Sequence, residues 1–299
     1  MICSQCQAEK AVINLRQYLL SLCKDCFIKR FRRQLRLTIR RYQMFNQGDR
    51  ILLAVSGGKD SSVLWRLLTE QGYKVDGIYL DLGIEEGFYS QRSKEYAQQL
   101  AQNLGKDLIV FDLKRETGRS ISELKQQSQR KSCSLCGKLK RYFLNKIARE
   151  QGYQCLATGH NLDDETAALL QSTLRWQPHY LARQAPVLEE RDEGFVRKVK
   201  PLVRFTEKEM ALFAFLNQIP YQENECPYAT DAASLFLKGI LNQMEERSPG
   251  TKISFYQEFL KIKTVFRKES PPPPTRCSLC GMPTIAEICS TCKILASVS

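Results

Sequence analysis

The chain has 299 residues, 43% of them hydrophobic, with 45 Lys and Arg against 32 Asp and Glu and a formal net charge of +13. That length suits one large domain with small appendages and a packed core. No apolar run reaches the ~18 residues of a membrane-spanning helix, and the opening MICSQCQAEK lacks the basic and apolar stretches of a secretion signal, so a cytoplasmic protein without a membrane partner is expected.

The positive excess survives even when metal-bound thiolates are counted against it. It favours a nucleic acid as partner over a merely soluble basic surface. Ten of the twelve cysteines form five Cys-x-x-Cys pairs, leaving Cys155 and Cys226 single. In a reducing compartment this pattern reads as metal ligation, not as a disulfide framework.

Residues 1–27 carry Cys3, Cys6, Cys23 and Cys26, the spacing of a zinc ribbon with one tetrahedral Zn²⁺. A basic amphipathic helix is predicted over 28–48. Phe27, Phe31, Leu35, Thr38 and Tyr42 recur on one face, while Lys29, Arg32, Arg33, Arg36 and Arg40 fall mostly on others. The polar side is either a solvated face or a phosphate-contacting one, and the arginine density favours the second.

Within a domain expected over 49–270, with a helical C-terminal part, the pattern from about 49 to 245 alternates strands (50–56, 75–83, 107–113 and 154–160) with helices. This predicts an α/β fold with a doubly wound parallel sheet, whose ligands bind outside the carboxyl ends of the strands. Cys155 lies inside the fourth strand and is read as a buried structural residue. Residues 271–299 begin with a proline run, a stiff spacer. A second, tighter four-cysteine zinc site follows, made by Cys277, Cys280, Cys289 and Cys292.

The first strand ends in Ser56-Gly57-Gly58-Lys59-Asp60-Ser61. Glycines let the backbone approach an anion, the following helix offers free N–H groups, and Lys59, Ser56 and Ser61 add charge and donors. The spacing is too short for a Walker A loop. The stretch AVSGGKDSSVL resembles the PP-loop of the adenine-nucleotide α-hydrolase-like superfamily, whose members cleave ATP between its α and β phosphates. A second strand-to-helix turn, TGHNLDDE, holds Gly159, His160, Asp163 and Asp164. It resembles the superfamily turn that contacts ATP and its metal. The two aspartates are candidates for Mg²⁺ binding or acid/base work, with a helix N-cap as the alternative. Asp81, at the carboxyl end of the next strand, is expected to contact the adenosine.

Cys133 and Cys136 have no second pair nearby, and Cys226 in ENECPYA is the remaining loop cysteine. Three cysteines suit a [4Fe-4S] cluster with one iron left open. Zinc completed by another ligand, or catalytic cysteines carrying persulfide or disulfide, are the competing readings.

The ensemble of the opening zinc module, SGGKDS, CSLCGKLKR, TGHNLDDE, KPLVRFTEKEMALFA, ENECPYA and the closing CSLCGMPT…CSTC resembles the TtuA-type tRNA 2-thiolation enzymes over nearly the whole chain. The resemblance implies ATP-dependent adenylation of the C2 oxygen of a tRNA uridine or ribothymidine. Sulfur transfer through a cluster on Cys133, Cys136 and Cys226 would follow, leaving a 2-thio base, AMP and pyrophosphate. It implies a ubiquitin-like thiocarboxylate carrier or another sulfide donor, and a homodimer, which no residue specifies. Lys140 and Asp164 are the expected catalytic charge and acid/base. A PP-loop ligase of the lysidine-synthetase kind would not need the three central cysteines. A non-catalytic zinc-ribbon RNA-binding protein would not need an intact phosphate loop.

Overall fold

The computed structural model describes residues 1–126, 132–190, 194–229, 233–269 and 274–296. An antiparallel hairpin, β1 (Ile13–Leu15) and β2 (Leu20–Leu22), leads straight into α1 (Lys24–Arg41). Cys23 is the N-cap of α1 and Cys26 lies in its first turn. The helix therefore starts inside the four-cysteine module, earlier than periodicity indicates. Its apolar face is buried as expected: Phe27, Phe31, Leu35 and Thr38 are each no more than 2% exposed. The Phe31 ring centroid lies 4.3 Å from those of both Phe205 and Phe213. Lys29, Arg33, Arg36, Arg40 and Arg41 stay in solvent, whereas Arg32 reaches Glu70 at 2.9 Å.

The sheet unit begins with β3 (Arg50–Ala54), α2 (Lys59–Glu70), β4 (Lys74–Asp81), α3 (Tyr89–Leu104), β5 (Leu108–Asp112), α4 (Leu113–Thr117) and α5 (Ile121–Gln126). It continues through α6 (Ser132–Glu150), β6 (Cys155–Thr158), α7 (Leu162–Leu174), α8 (Pro178–Arg183), β7 (Val187–Leu188) and β8 (Arg197–Val199). Then come α9 (Glu207–Leu216), α10 (Ala233–Arg247) and α11 (Thr251–Ile262). The strand order is β5-β4-β3-β6-β8-β7, parallel throughout except for β7 against β8.

Alternation along the strands divides the core in two. Ile51, Leu53, Tyr79 and Cys155 face a layer built from α1, α2, α3 and α9, with Trp65 and Phe213 at its heart. Leu52, Ile78 and Leu156 face the opposite layer, with Leu135, Leu139 and Phe143 of α6. Strands buried on both faces need continuous apolar runs, which is why RILLA reads so strongly in the sequence. The short strands β7, at the sheet edge, and β8 beside it, two and three residues long, leave no such signature.

Helix α6 runs through both central cysteines, with Cys133 and Cys136 in its first turns. Leu135 and Leu139, four residues apart and 1% and 0% exposed, continue the stripe of Phe143 toward the N-terminus and carry the helix through both cysteines. The C-terminal module consists of a second hairpin, β9 (Thr275–Arg276) with β10 (Pro283–Thr284), and α12 (Ser290–Ala296). Ile294 and Leu295 of α12 join the apolar cluster around α6. Residues 271–273 of the proline run lie outside the described residues. Among the described residues no helix is long and apolar enough to cross a membrane.

Candidate active site

The loop after β3 is shaped by its glycines. Gly57 has φ +78°, and a Cβ there would sit 2.4 Å from the Ser93 carbonyl oxygen, so only glycine fits. Ser61 Oγ accepts the Ser56 N–H at 3.1 Å and donates to the Gly58 carbonyl at 3.0 Å. Gly58 is the N-cap of α2 and supplies no side-chain cap. The helix thus presents its open N-terminus to an anion, beside Lys59. These features fit a nucleotide phosphate chain.

The turn after β6 lies directly against this loop, because β3 and β6 are paired neighbours. A Cβ on Gly159 would meet the Ser61 amide nitrogen at 2.9 Å. Asn161 caps α7 by accepting the Asp164 N–H, and its own side chain donates to Asp60 Oδ2 at 3.3 Å. His160 lies open to solvent on the cleft floor yet ringed by protein, its Nδ1 2.8 Å from Thr158 Oγ1. Lost hydration and the Lys198 ammonium push its imidazole down to about 4, so it is neutral at physiological pH.

The charges here form one network. Lys59 Nζ lies 2.5 Å from Glu207, and Lys238 Nζ lies 2.5 Å from Asp164 and 3.3 Å from Glu207. Burial works to raise the Asp164 carboxyl, but Lys238 and His160 outweigh it and hold it below the usual range. Asp60 goes the other way. Burial pushes it up to about 7 against the pull of Lys59, with Asp164 and Glu207 adding to the rise. Its Oδ1 is buried without a hydrogen-bond partner.

Two of the expected ligand carboxylates are engaged by protein groups. Asp163 is 2% exposed, and its oxygens are taken by Lys252 Nζ at 2.5 Å and the Glu207 N–H at 2.9 Å. It forms a buried ion pair that joins α7 to α9 and α11, whereas Asp164, bonded to Lys238 and to the Asn161 N–H, stays at the cleft. Asp81 stands at the carboxyl end of β4, but its carboxylate accepts the Gly83 N–H at 3.1 Å and pairs with Lys94 at 3.1 Å. It shapes the turn that brings Leu82 and Ile84 to an apolar slot. That slot, lined also by Ser56, Tyr89 and Lys140, adjoins the phosphate loop.

The central cysteines converge at the N-terminal end of α6. Cys133 is exposed, and Cys136 and Cys226 are partly buried. Cys133 Sγ donates to the Tyr228 carbonyl at 3.0 Å. Burial raises Cys136 to about 11, opposed by Lys140, with Cys226 and Cys133 adding to the rise. Burial also raises Cys226, again against Lys140. Lys140 thus acts on Cys136 and Cys226 and also lines the apolar slot. Tyr228 locks the Cys226 loop to the β4 side. Its hydroxyl donates to Glu86 Oε2 at 2.6 Å and lies 2.9 Å from Ser122 Oγ. Lys125 Nζ sits 4.0 Å from its ring centroid. Lys238, Glu207, Glu86 and Tyr228 were not singled out from sequence, although Glu207 and Tyr228 lie within quoted motifs.

The terminal cysteines fit single tetrahedral ions. Within each set all four sulfurs lie within 4.8 Å of one another. Measured edges are 3.9 Å for Cys6–Cys23, 3.9 Å for Cys277–Cys292 and 3.7 Å for Cys280–Cys289. A tetrahedron with zinc–sulfur bonds of ~2.3 Å has edges of roughly 3.8 Å. Among the described residues the central three do not form such a set.

An open sheet with a glycine loop at β3, a carboxylate turn at β6 and a helix N-terminus facing both defines a PP-loop nucleotide-binding protein. The PP-loop domain family matches residues 29–236. The chain is 41% identical to the tRNA-5-methyluridine(54) 2-sulfurtransferase of Thermus thermophilus, covering 100% of this chain and 92% of the relative. It is 40% identical to the enzyme of the same name from Pyrococcus horikoshii, covering 98% and 93%. In structure it is similar to the U34-tRNA thiolase NcsA from Methanococcus maripaludis, solved with its [4Fe-4S] cluster. The TM-score is 0.85 and the identity 26%, over 99% of this chain and 96% of that one. The chain belongs to the PP-loop family of tRNA 2-thiolation sulfurtransferases.

Proposed function

We propose that this protein 2-thiolates 5-methyluridine at position 54 of tRNA. The choice of base is supported by relatives of that name, 40% and 41% identical over nearly full length. The observation that carries the site assignment is the position of Lys140. It lines the slot beside the phosphate loop, and its charge acts on both Cys136 and Cys226. One residue thus faces both halves of the reaction.

In this reading ATP lies with its phosphates on Ser56–Ser61 and Lys59 and its base in the apolar slot. The base O2 attacks the α-phosphorus and pyrophosphate departs. Asp164, held ionised by Lys238, takes the proton released from N3, and Lys140 offsets charge on the adenylate. Asp60, whose Oδ1 lacks a partner, is our Mg²⁺ ligand in place of Asp163. A [4Fe-4S] cluster on Cys133, Cys136 and Cys226 would supply an open iron that holds sulfur for transfer to C2, with AMP as leaving group. The sulfur comes from the thiocarboxylate of a ubiquitin-like carrier protein, and the assembly is a cytoplasmic homodimer. Each terminal module holds one Zn²⁺, and the exposed arginines of α1 meet tRNA phosphates.

Anaerobic purification tests the centre. The expected protein is brown, with a visible cluster absorption that disappears in Cys226→Ser. Colourless protein with three bound zinc ions would overturn the assignment.

A further inference from the structure

A second cavity opens on the α6 side of the sheet, between α6, β6, β8 and α8. It encloses about 360 Å³, within the roughly 300–1,000 Å³ range of small-ligand sites. Its walls mix apolar residues, Leu144, Leu156, Ala182 and Phe195 among them, with polar ones, and Arg141, Lys198, Arg183 and Lys263 all line it. Neither Arg141 nor Lys198 forms an ion pair among the described residues. The nearby acids are engaged or peripheral. Glu165 is bonded to Lys200 at 2.8 Å and Glu189 to Arg197 at 2.9 Å, and Glu189 and Glu190 lie exposed on the rim. Burial, with Lys200 and Arg141 close by, pushes Lys198 down to about 8. Burial lowers Arg141 as well. Arg141 is exposed and Lys198 half-buried, and two cations without ion-pair partners at one concave, partly apolar site are stabilised by an anion that carries an apolar body.

The cavity adjoins the reaction site. Leu144 lines both it and the slot beside the phosphate loop. Lys198 also acts on His160, in the same turn as Asp164. An enzyme that works on an internal base must take it out of the stack, and neighbouring nucleotides then need somewhere to go. Cations for the backbone with apolar or aromatic surface for the base is the usual way to hold an unstacked nucleotide.

We propose that this cavity receives one unstacked nucleotide of the RNA substrate, its phosphate held by Arg141 and Lys198 and its base packed on Leu144, Leu156 and Phe195. The inference rests on the tRNA-thiolation reading and adds a substrate subsite to it.

The test uses full-length holoenzyme and an unmodified tRNA transcript. Lys198→Gln removes the charge, Lys198→Arg keeps it, and Ala182→Phe fills the cavity. Lys198→Gln is expected to raise the KM for tRNA about tenfold and to lower the slope of log Kd against log salt by about one. ATP affinity should be unchanged and Lys198→Arg should largely restore binding. Ala182→Phe is expected to raise the KM for tRNA while leaving ATP affinity intact. Unchanged tRNA KM and salt slope in Lys198→Gln and Ala182→Phe, with wild type active, would overturn the cavity assignment. Parallel loss of ATP affinity would also overturn it, because it marks a general structural role. A wild-type protein that thiolates no tRNA refutes the functional reading instead.

Discussion

Lys238 of α10 reaches Asp164 at the start of α7 with an Nζ–Oδ1 distance of 2.5 Å. The same ammonium lies 3.3 Å from Glu207, which binds Lys59 of the phosphate loop. A single cation therefore sets the ionisation of the proposed base and steadies the loop's lysine. Removing it in Lys238→Met lets burial raise the Asp164 carboxyl. The acid limb of kcat/KM then moves to higher pH, whereas Asp164→Asn lowers kcat about 10²–10⁴-fold. A pH–rate series on both variants checks this. An unmoved acid limb in Lys238→Met refutes the pairing.

Asp60 links stability to pH with the opposite sign. Its folded-state value is raised to about 7, whereas an unfolded Asp titrates near ~4. Between those values the folded state holds the extra proton, so this group's contribution falls as pH rises through that window. Asp60→Asn should be more thermostable than wild type at pH 8, with the difference closing toward pH 4.5. It should also bind Mg²⁺·ATP more weakly. Thermal melts across pH and calorimetric titration read the two effects separately.

Gly57 tolerates no side chain. A Cβ would stand 2.4 Å from the Ser93 carbonyl, at φ +78°. Gly57→Ala should abolish measurable ATP binding and cost about 1–3 kcal/mol of stability, read by titration calorimetry and denaturant unfolding.

The C-terminal module braces α6, which carries Cys133 and Cys136. Ile294 is 5% exposed and belongs to the apolar cluster that contains Leu135, Leu139 and Phe143. Ile294→Ala should cost about 2–5 kcal/mol in docking of this module. Cys289→Ser should release α12 altogether. In both variants the cluster absorption is expected to bleach faster in air. An unchanged bleaching rate shows that α6 is held without the module.

The exposed face of α1 bears Arg33, Arg36, Arg40 and Arg41. Replacing these four by Gln should weaken tRNA binding and lower the salt slope by about one for each arginine that meets a phosphate. An unchanged slope places the tRNA elsewhere.

Short-range patterns made much of this legible. Paired Cys-x-x-Cys knuckles, a glycine loop after a buried strand and an apolar stripe on α1 each depend on neighbours in sequence. What was hidden depends on partners far along the chain. Asp163 and Asp164 are adjacent and chemically alike. Lys252, 89 residues away, buries one of them, and Lys238 keeps the other at the cleft. Asp81 stands where a ligand residue belongs, but Lys94 on the next helix claims it. The cavity around Lys198 involves a strand of three residues, too short to show in a periodic pattern.

The central claim is tested most directly by nucleoside mass spectrometry. Anaerobic holoenzyme is incubated with ATP, sulfide and tRNA that carries 5-methyluridine 54 but no thiolation. The account predicts 2-thio-5-methyluridine at position 54 and one AMP for each base converted, both lost in Cys226→Ser. AMP release without a thionucleoside would contradict it and point to a ligase.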